Sequence, residues 1–185
     1  MSELADTVCR IGVSITDTCR GYANSLLCAA KDYLCSIART ASNALDNALI
    51  HFAAFGLRLL LETAVLCIYI DIHSTYKWLP INKKLELAKE FSFSATISRS
   101  TLFRRALIEI FGSEDGRGMV NTMRKTYKKL SQYIHTPVLC VDEDKPTAHA
   151  VGCVNILEEL KAVARELSTI LEKLAYLWLK RSSPQ

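Results

Sequence analysis

The chain has 185 residues, half of them hydrophobic and only four of them proline, a composition that excludes intrinsic disorder and suits one domain spanning residues 1–185. The formal net charge of +4 is mild, but it is unevenly distributed. Residues 79–135 carry 11 basic and 5 acidic side chains, and the segments on either side each carry 6 basic and 7 acidic ones.

The N-terminal third has helical periodicity. Apolar residues recur at steps of three and four from Leu4 to Ile37, which predicts one long amphipathic helix with a kink near Gly21. Ser42 or Asn43 can then cap a second helix, which we expect to run to about residue 78.

The second helix is apolar enough to raise the question of a membrane span. Arg58 and Glu62 lie in its middle, and charges at the centre of a bilayer are costly, so a buried helix of a soluble protein is favoured over a membrane span. Its polar side chains form one narrow stripe, which is either the solvent face or a seam facing a cleft: His51, Arg58, Glu62, Tyr69, His73 and Tyr76.

The rest of the chain also has helical spacing. We predict a short helix after Asn82, another from about Ser100 to Gly112, a loop at "GSEDGRG" (112–118), a helix ending before Pro137, a loop at "VDEDKPT", and a final helix over 148–181. No stretch alternates as a strand would. The fold class is therefore all-α, an up-and-down bundle of about four long helices plus short ones.

Seven cysteines are present, and none has the spacing of a zinc site. No metal or cofactor is expected. The acidic residues of the first 20 positions argue against a signal peptide, so we expect a cytoplasmic protein with mostly free, buried cysteines. Cys28 and Cys35 cannot bridge each other along one helix; Cys140 and Cys153 are the pair most able to do so, an arrangement that would suit a thermophile.

The stretch "YKKLSQYIHTP" (127–137) carries the polar residues of most interest. On a helical wheel Tyr127 lies in the apolar seam, and Ser131, Arg124 and His135 lie at its border, where a cleft would be. The alternative is that His135 only complements the end of the helix dipole. We predict that this helix packs beside the one carrying Arg58, so that their polar groups share a cleft.

Basic residues near this stretch are a candidate nucleic-acid surface, because clustered cations attract phosphates; an ordinary solvated helix face is the other interpretation. The residues assigned to nucleic-acid binding are Arg104, Arg105, Lys125, Lys128 and Lys129.

The segment "LRLLLETAVLCIYIDI", followed by "YKKLSQYIHTP", resembles HEPN-like helical bundles, a group that includes abortive-infection proteins and RNase toxins. The resemblance covers about 30 residues and implies a polar cleft of Arg58, Glu62 and Tyr127, with Ser131 and His135 as catalytic candidates. Arg124, the only arginine near His135, is the third catalytic candidate. It implies metal-free RNA cleavage, in which His135 moves a proton and Arg124 or Lys128 stabilises the phosphate. Active members carry an arginine closer to the histidine than Arg124 is, so the motif is degenerate.

Three functions follow as hypotheses. The first is a nucleic-acid or defence-related bundle that binds RNA, with degenerate or absent RNase activity. The second is a noncatalytic interaction bundle that associates with itself or with another protein. The third is a membrane-associated helical protein.

Overall fold

Helices account for nearly all of the chain in the computed structural model, which describes residues 3–93, 96, 101–135 and 146–182, with side chains of the last helix from 155 to 181. This part of the chain contains eight helices and no strand: α1 Glu3–Ser14, α2 Thr16–Arg20, α3 Leu26–Asp46, α4 Ile50–Ile72, α5 Ile81–Glu90, α6 Thr101–Phe111, α7 Ser113–His135 and α8 Pro146–Ser182. The all-α prediction is confirmed. Four of these helices are long, and their arrangement is consistent with a bundle.

Helix α4 is the centre of the molecule, and α3, α7 and α8 pack around it. An 18-residue window of α4 has a mean hydropathy of 1.8, and 61 % of that window is buried inside the protein. It is the one helix in the described part of the chain that is long and apolar enough to cross a membrane, and a core helix has the same composition. Gly56 lets α3 approach closely, because a Cβ there would lie 2.9 Å from the Cβ of Ala41.

The single long helix predicted from Leu4 to Ile37 is wrong. The helix breaks after Ser14, and the chain turns between α2 and α3, so that α1 lies against α3. The turn is stabilised by Ser25, whose side chain caps α3 by accepting a bond of 3.0 Å from the backbone N–H of Cys28. The apolar spacing continued across the turn because α1 and α3 each bury one face.

The predicted start of the second helix is also wrong. Ser42 and Asn43 lie inside α3, because its apolar face continues and is buried as far as Leu45. The turn to α4 comes later, at residues 47–49, where Ala48 adopts a left-handed φ of 55°.

The loop predicted at "GSEDGRG" (112–118) is wrong except at its first residue. Gly112 has a φ of +87° and separates α6 from α7, which starts at Ser113. Gly116 is helical, because α6 and α7 cross there: a Cβ on it would lie 2.7 Å from the backbone of Ile108. The glycine indicates close packing rather than a turn.

The prediction that the cysteines are free is wrong for four of them. Disulfides join Cys9 to Cys35 and Cys19 to Cys28, with Cα–Cα distances of 4.8 and 5.6 Å, because the chain reversal brings α1 and α2 beside α3. Cys28 and Cys35 are not bonded to each other, as predicted. The pair Cys140 and Cys153 lies outside the described side chains.

A buried carboxylate, that of Asp71 at the end of α4, joins four helices. It accepts hydrogen bonds from the backbone N–H groups of Leu26 and Leu27 at the start of α3, at 2.8 and 3.0 Å, and from the hydroxyl of Ser25 at 2.6 Å. It also accepts a bond of 2.8 Å from the Lys84 ammonium of α5 and one of 3.2 Å from the Trp178 indole of α8. Sequence reasoning missed this cluster.

Candidate functional site: a cleft beside helix α4

Helices α4 and α7 pack side by side in opposite directions, which confirms that the two polar stretches are neighbours. The Arg58 guanidinium donates a hydrogen bond of 2.8 Å to the Tyr127 hydroxyl and lies 4.7 Å from the centre of its ring. Nearer the N-terminus of α4, His51 Nδ1 lies 2.9 Å from the carbonyl oxygen of Tyr133. Residue numbers therefore increase along α4 in the direction in which they decrease along α7, so the two helices are antiparallel.

Three side chains form the polar wall of the site. Arg58 Nε donates to Glu62 at 3.1 Å, one turn along α4, and the two side chains keep 24 % and 31 % of their surface exposed. Burial, followed by the nearby Glu62 charge, raises the pKa of Tyr127, and its hydroxyl accepts the bond from Arg58. The Tyr127 ring stacks on Phe93, with ring centres 4.3 Å apart. Arg58 is therefore fixed in place on the edge of α4.

This wall borders a cleft of about 510 Å³ between α3, α4, α5 and α7. Its floor and opposite wall are mainly apolar, and they include Leu26, Ala30, Tyr33, Leu59, Leu66, Leu85, Ala88 and Phe91. Tyr33 and Leu85 keep 55 % and 49 % of their surface exposed, so the apolar lining is open to solvent. A cleft that is apolar with one fixed cation and one fixed anion suits a ligand that is itself mostly apolar.

The apolar lining continues beyond the cleft along α4. Phe52 and Phe55 are 72 % and 56 % exposed, on the same helical face as Leu59 and Leu66. We call these four residues, together with the cleft, the α4 face. Such an exposed apolar surface is unusual on a helix whose other sides are buried in the core.

No family model, curated protein or solved structure matches this chain. The chemistry of the site is therefore read from its own residues.

Two of the catalytic candidates, Ser131 and His135, form no hydrogen bond with the side chains of the polar wall. The Ser131 hydroxyl donates to the carbonyl oxygen of Tyr127 at 2.8 Å, within its own helix. His135 is exposed at the last residue of α7, eight residues and roughly 12 Å along the helix from Tyr127. Arg124 is exposed on the same helix. Within the described residues, Arg58 and Glu62 converge with Tyr127 and not with His135.

The residues assigned to nucleic-acid binding are spread over two helices. Arg104 and Arg105 are exposed on α6, and Lys125 and Lys128 are exposed on α7. Lys129 instead pairs with Glu159 of α8 at 3.1 Å, and the same carboxylate accepts a bond from the Tyr133 hydroxyl. Burial, together with that bond, raises the pKa of Tyr133. Lys129 therefore helps to join α7 to α8.

Sequence reasoning missed the apolar half of the site, above all Phe52, Phe55 and Tyr33. One signal was present: apart from one narrow polar stripe, α4 is apolar all round, and its neighbours in the bundle cannot cover all of that apolar surface. In the part of the chain that the structure describes, no group of three or more His, Cys, Asp or Glu side chains is placed to hold a metal ion.

Proposed function

We propose that this chain is a noncatalytic interaction protein that self-associates through the α4 face. The observation that carries the proposal is the exposure of Phe52 and Phe55, at 72 % and 56 %, on the one described helix that is long and apolar enough to cross a membrane. Exposed apolar patches of a few hundred Å² mark interaction sites in soluble proteins. The distance of His135 from Arg58 and Glu62 favours binding over catalysis.

The exposed apolar area is a large part of what a dimer interface buries. An aromatic side chain has about 150–250 Å² to bury, so the exposed parts of Phe52 and Phe55 offer roughly 200–300 Å². Tyr33 and Leu85, which line the cleft and are each about half exposed, bring the apolar total to on the order of 400 Å². A standard interface buries about 800 Å² on each partner. The α4 face thus supplies about half of it from apolar side chains.

The shape of the α4 face favours a second copy of the chain as the occupant. The two phenylalanines project near the N-terminal end of α4, and the apolar cleft lies near its C-terminal half, about 16 Å from Phe55 to Leu66 at 1.5 Å per residue. A two-fold axis near the middle of α4 would place two copies antiparallel. The phenylalanines of each copy would then enter the cleft of the other, as an isologous interface requires.

The charges of the same face are self-complementary under that symmetry. Arg58 and Glu62 lie on either side of the proposed axis, one turn apart. The operation that exchanges the two copies brings Arg58 of each near Glu62 of the other, so that opposite charges face each other in both places. A parallel arrangement would instead place like charges together.

The test is the oligomeric state of a double variant, Phe52→Ser with Phe55→Ser, measured by light scattering and sedimentation over a range of concentrations. We expect a dimer for the wild type and a monomer for the variant, with the same helical circular-dichroism spectrum. Val13→Ser is the matched control, because Val13 is 76 % exposed but lies on α1, away from this face. A wild-type protein that is monomeric at every concentration tested would refute the proposal.

A further inference from the structure

A second concave surface lies away from the α4 face. It has a volume of about 1000 Å³ and is formed by the turn after α4, by α6 and by the end of α8. It shares no lining residue with the α4 cleft. We call it the basic groove, and its charged lining is Lys77, Arg105, Glu109, Lys180 and Arg181.

The charge of this groove is positive and largely uncompensated. Glu109 is its one acidic lining residue, and it forms an ion pair with Arg181. Lys77, Arg105 and Lys180 form no ion pair with a carboxylate in the described part of the chain. Three positive charges with low-dielectric walls around them concentrate anions from solution.

An aromatic platform lies among these cations. Trp78 is 72 % exposed, and the ammonium of Lys77 lies 4.6 Å from the centre of its ring. The ammonium of Lys180, which also lines the groove, lies 5.5 Å from the centre of the Tyr176 ring. The Lys77 ammonium covers one face of the indole, and the side chain is otherwise mostly exposed, so the opposite face is available to a ligand.

We propose that the basic groove binds single-stranded nucleic acid, with one base stacked on Trp78 and the flanking phosphates at Arg105 and Lys180. Grooves for single strands combine cations that follow the backbone with aromatic rings on which bases stack. An unpaired base is required, because the bases of a duplex are already covered by their neighbours. The concave shape disfavours a membrane, since a bilayer surface cannot enter a groove.

Binding is measured by fluorescence anisotropy with a labelled single-stranded oligonucleotide and with a duplex of the same sequence, at low salt. Stacking of one base is worth about 1–3 kcal/mol, so Trp78→Ala should weaken single-strand binding by at least about fivefold. Arg105→Glu and Lys180→Glu should weaken it as well, and each should make the binding less dependent on salt. Arg39→Glu is the matched control: it makes the same substitution as Arg105→Glu on an exposed residue of α3, outside the groove.

Tryptophan emission gives an independent readout. The protein has two tryptophans, and Trp178 is fully buried, so an added oligonucleotide should quench only the emission of Trp78. The quenching should be lost in Trp78→Phe, and it should persist in the Phe52→Ser, Phe55→Ser variant, whose defect concerns self-association alone.

Three results would overturn the proposal. The first is that the wild type fails to bind the oligonucleotide at low salt. The second is that Arg39→Glu weakens binding as much as Arg105→Glu. The third is a preference for another anionic partner, seen either as equal or tighter binding of the duplex, or as binding to phosphatidylserine vesicles without binding to the oligonucleotide.

Discussion

At the scale of single residues, Asp71 is the strongest polar determinant of the fold. Its side chain and that of Lys84 are only 3 % and 2 % exposed, and a buried charge is costly unless it is paired and hydrogen-bonded. Asp71 meets this requirement with five donors from α3, α5, α8 and the turn before α3. The carboxylate also occupies the N-terminus of α3, where the helix dipole favours a negative charge.

We predict that Asp71→Asn lowers the free energy of unfolding by about 3–5 kcal/mol, because it leaves the Lys84 ammonium buried beside a neutral group. Urea unfolding followed by circular dichroism measures this. Glu86→Gln is the matched control: Glu86 also pairs with a lysine, Lys83, but at the surface, and its removal should leave the stability nearly unchanged. Equal effects of the two substitutions would mean that Asp71 is not the anchor described here.

Cys67 is the free cysteine of the described residues, and it is buried in α4. Burial, with a smaller contribution from the Asp71 charge, raises the pKa of its thiol to about 12, so the reactive thiolate is scarce at neutral pH. We predict that iodoacetamide at pH 8 modifies Cys67 far more slowly in the native protein than in urea. Peptide mass mapping identifies the site. Equally fast labelling in both conditions would contradict the buried position.

At the scale of elements, the crossing of α6 and α7 depends on a glycine. A Cβ at Gly116 would lie 2.7 Å from the backbone of Ile108, and backbone cannot move aside as a flexible side chain can. A Cβ at Gly118, two residues later in the same helix, would have no atom within 4 Å outside its own stretch of helix.

Substituting alanine at these two positions should change the stability of the protein in opposite directions. Gly116→Ala should destabilise the protein, by about 1–3 kcal/mol for overpacking of this kind. Gly118→Ala should stabilise it by up to about 1 kcal/mol, because alanine favours a helix over glycine. Thermal unfolding of both variants against the wild type measures the difference. If both substitutions stabilise, α6 and α7 do not cross at Gly116.

The helices themselves were predictable from periodicity, because each buries one face, and so was the contact of α4 with α7. Arg58 and Glu62 were identified by their position within an apolar helix. The bounds of α6 and α8 were close to those expected, but the ends of α1 and α3 and the starts of α4 and α7 were not predictable. Ser25 is a cap whose main partner, Asp71, lies 46 residues away, and Gly116 serves a crossing that no local pattern reveals. The periodicity of apolar residues indicates which face of a helix is buried. It does not indicate which other helix covers that face.

At the scale of the whole molecule, the two disulfides fasten the N-terminal helices to the bundle. Cys9–Cys35 joins α1 to α3, and Cys19–Cys28 joins α2 to α3, so both bridges hold the same chain reversal. They close short loops, with sequence separations of 26 and 9 residues. A disulfide stabilises mainly by restricting the unfolded chain, and the effect grows slowly with the length of the loop.

We therefore predict that reduction lowers the free energy of unfolding, by about 3 kcal/mol for each bridge and somewhat more for Cys9–Cys35, which closes the longer loop. Urea unfolding with and without a reductant measures the total, and the pairs Cys9→Ser with Cys35→Ser and Cys19→Ser with Cys28→Ser separate the two contributions. A variant lacking all four cysteines is the control. It should not respond to the reductant, which excludes an effect through Cys67, Cys140 or Cys153. An unchanged urea midpoint for the reduced wild type would mean that α1 is held by its apolar contacts with α3 and α8 alone. The apolar core would then hold the N-terminal helices in place without the disulfides.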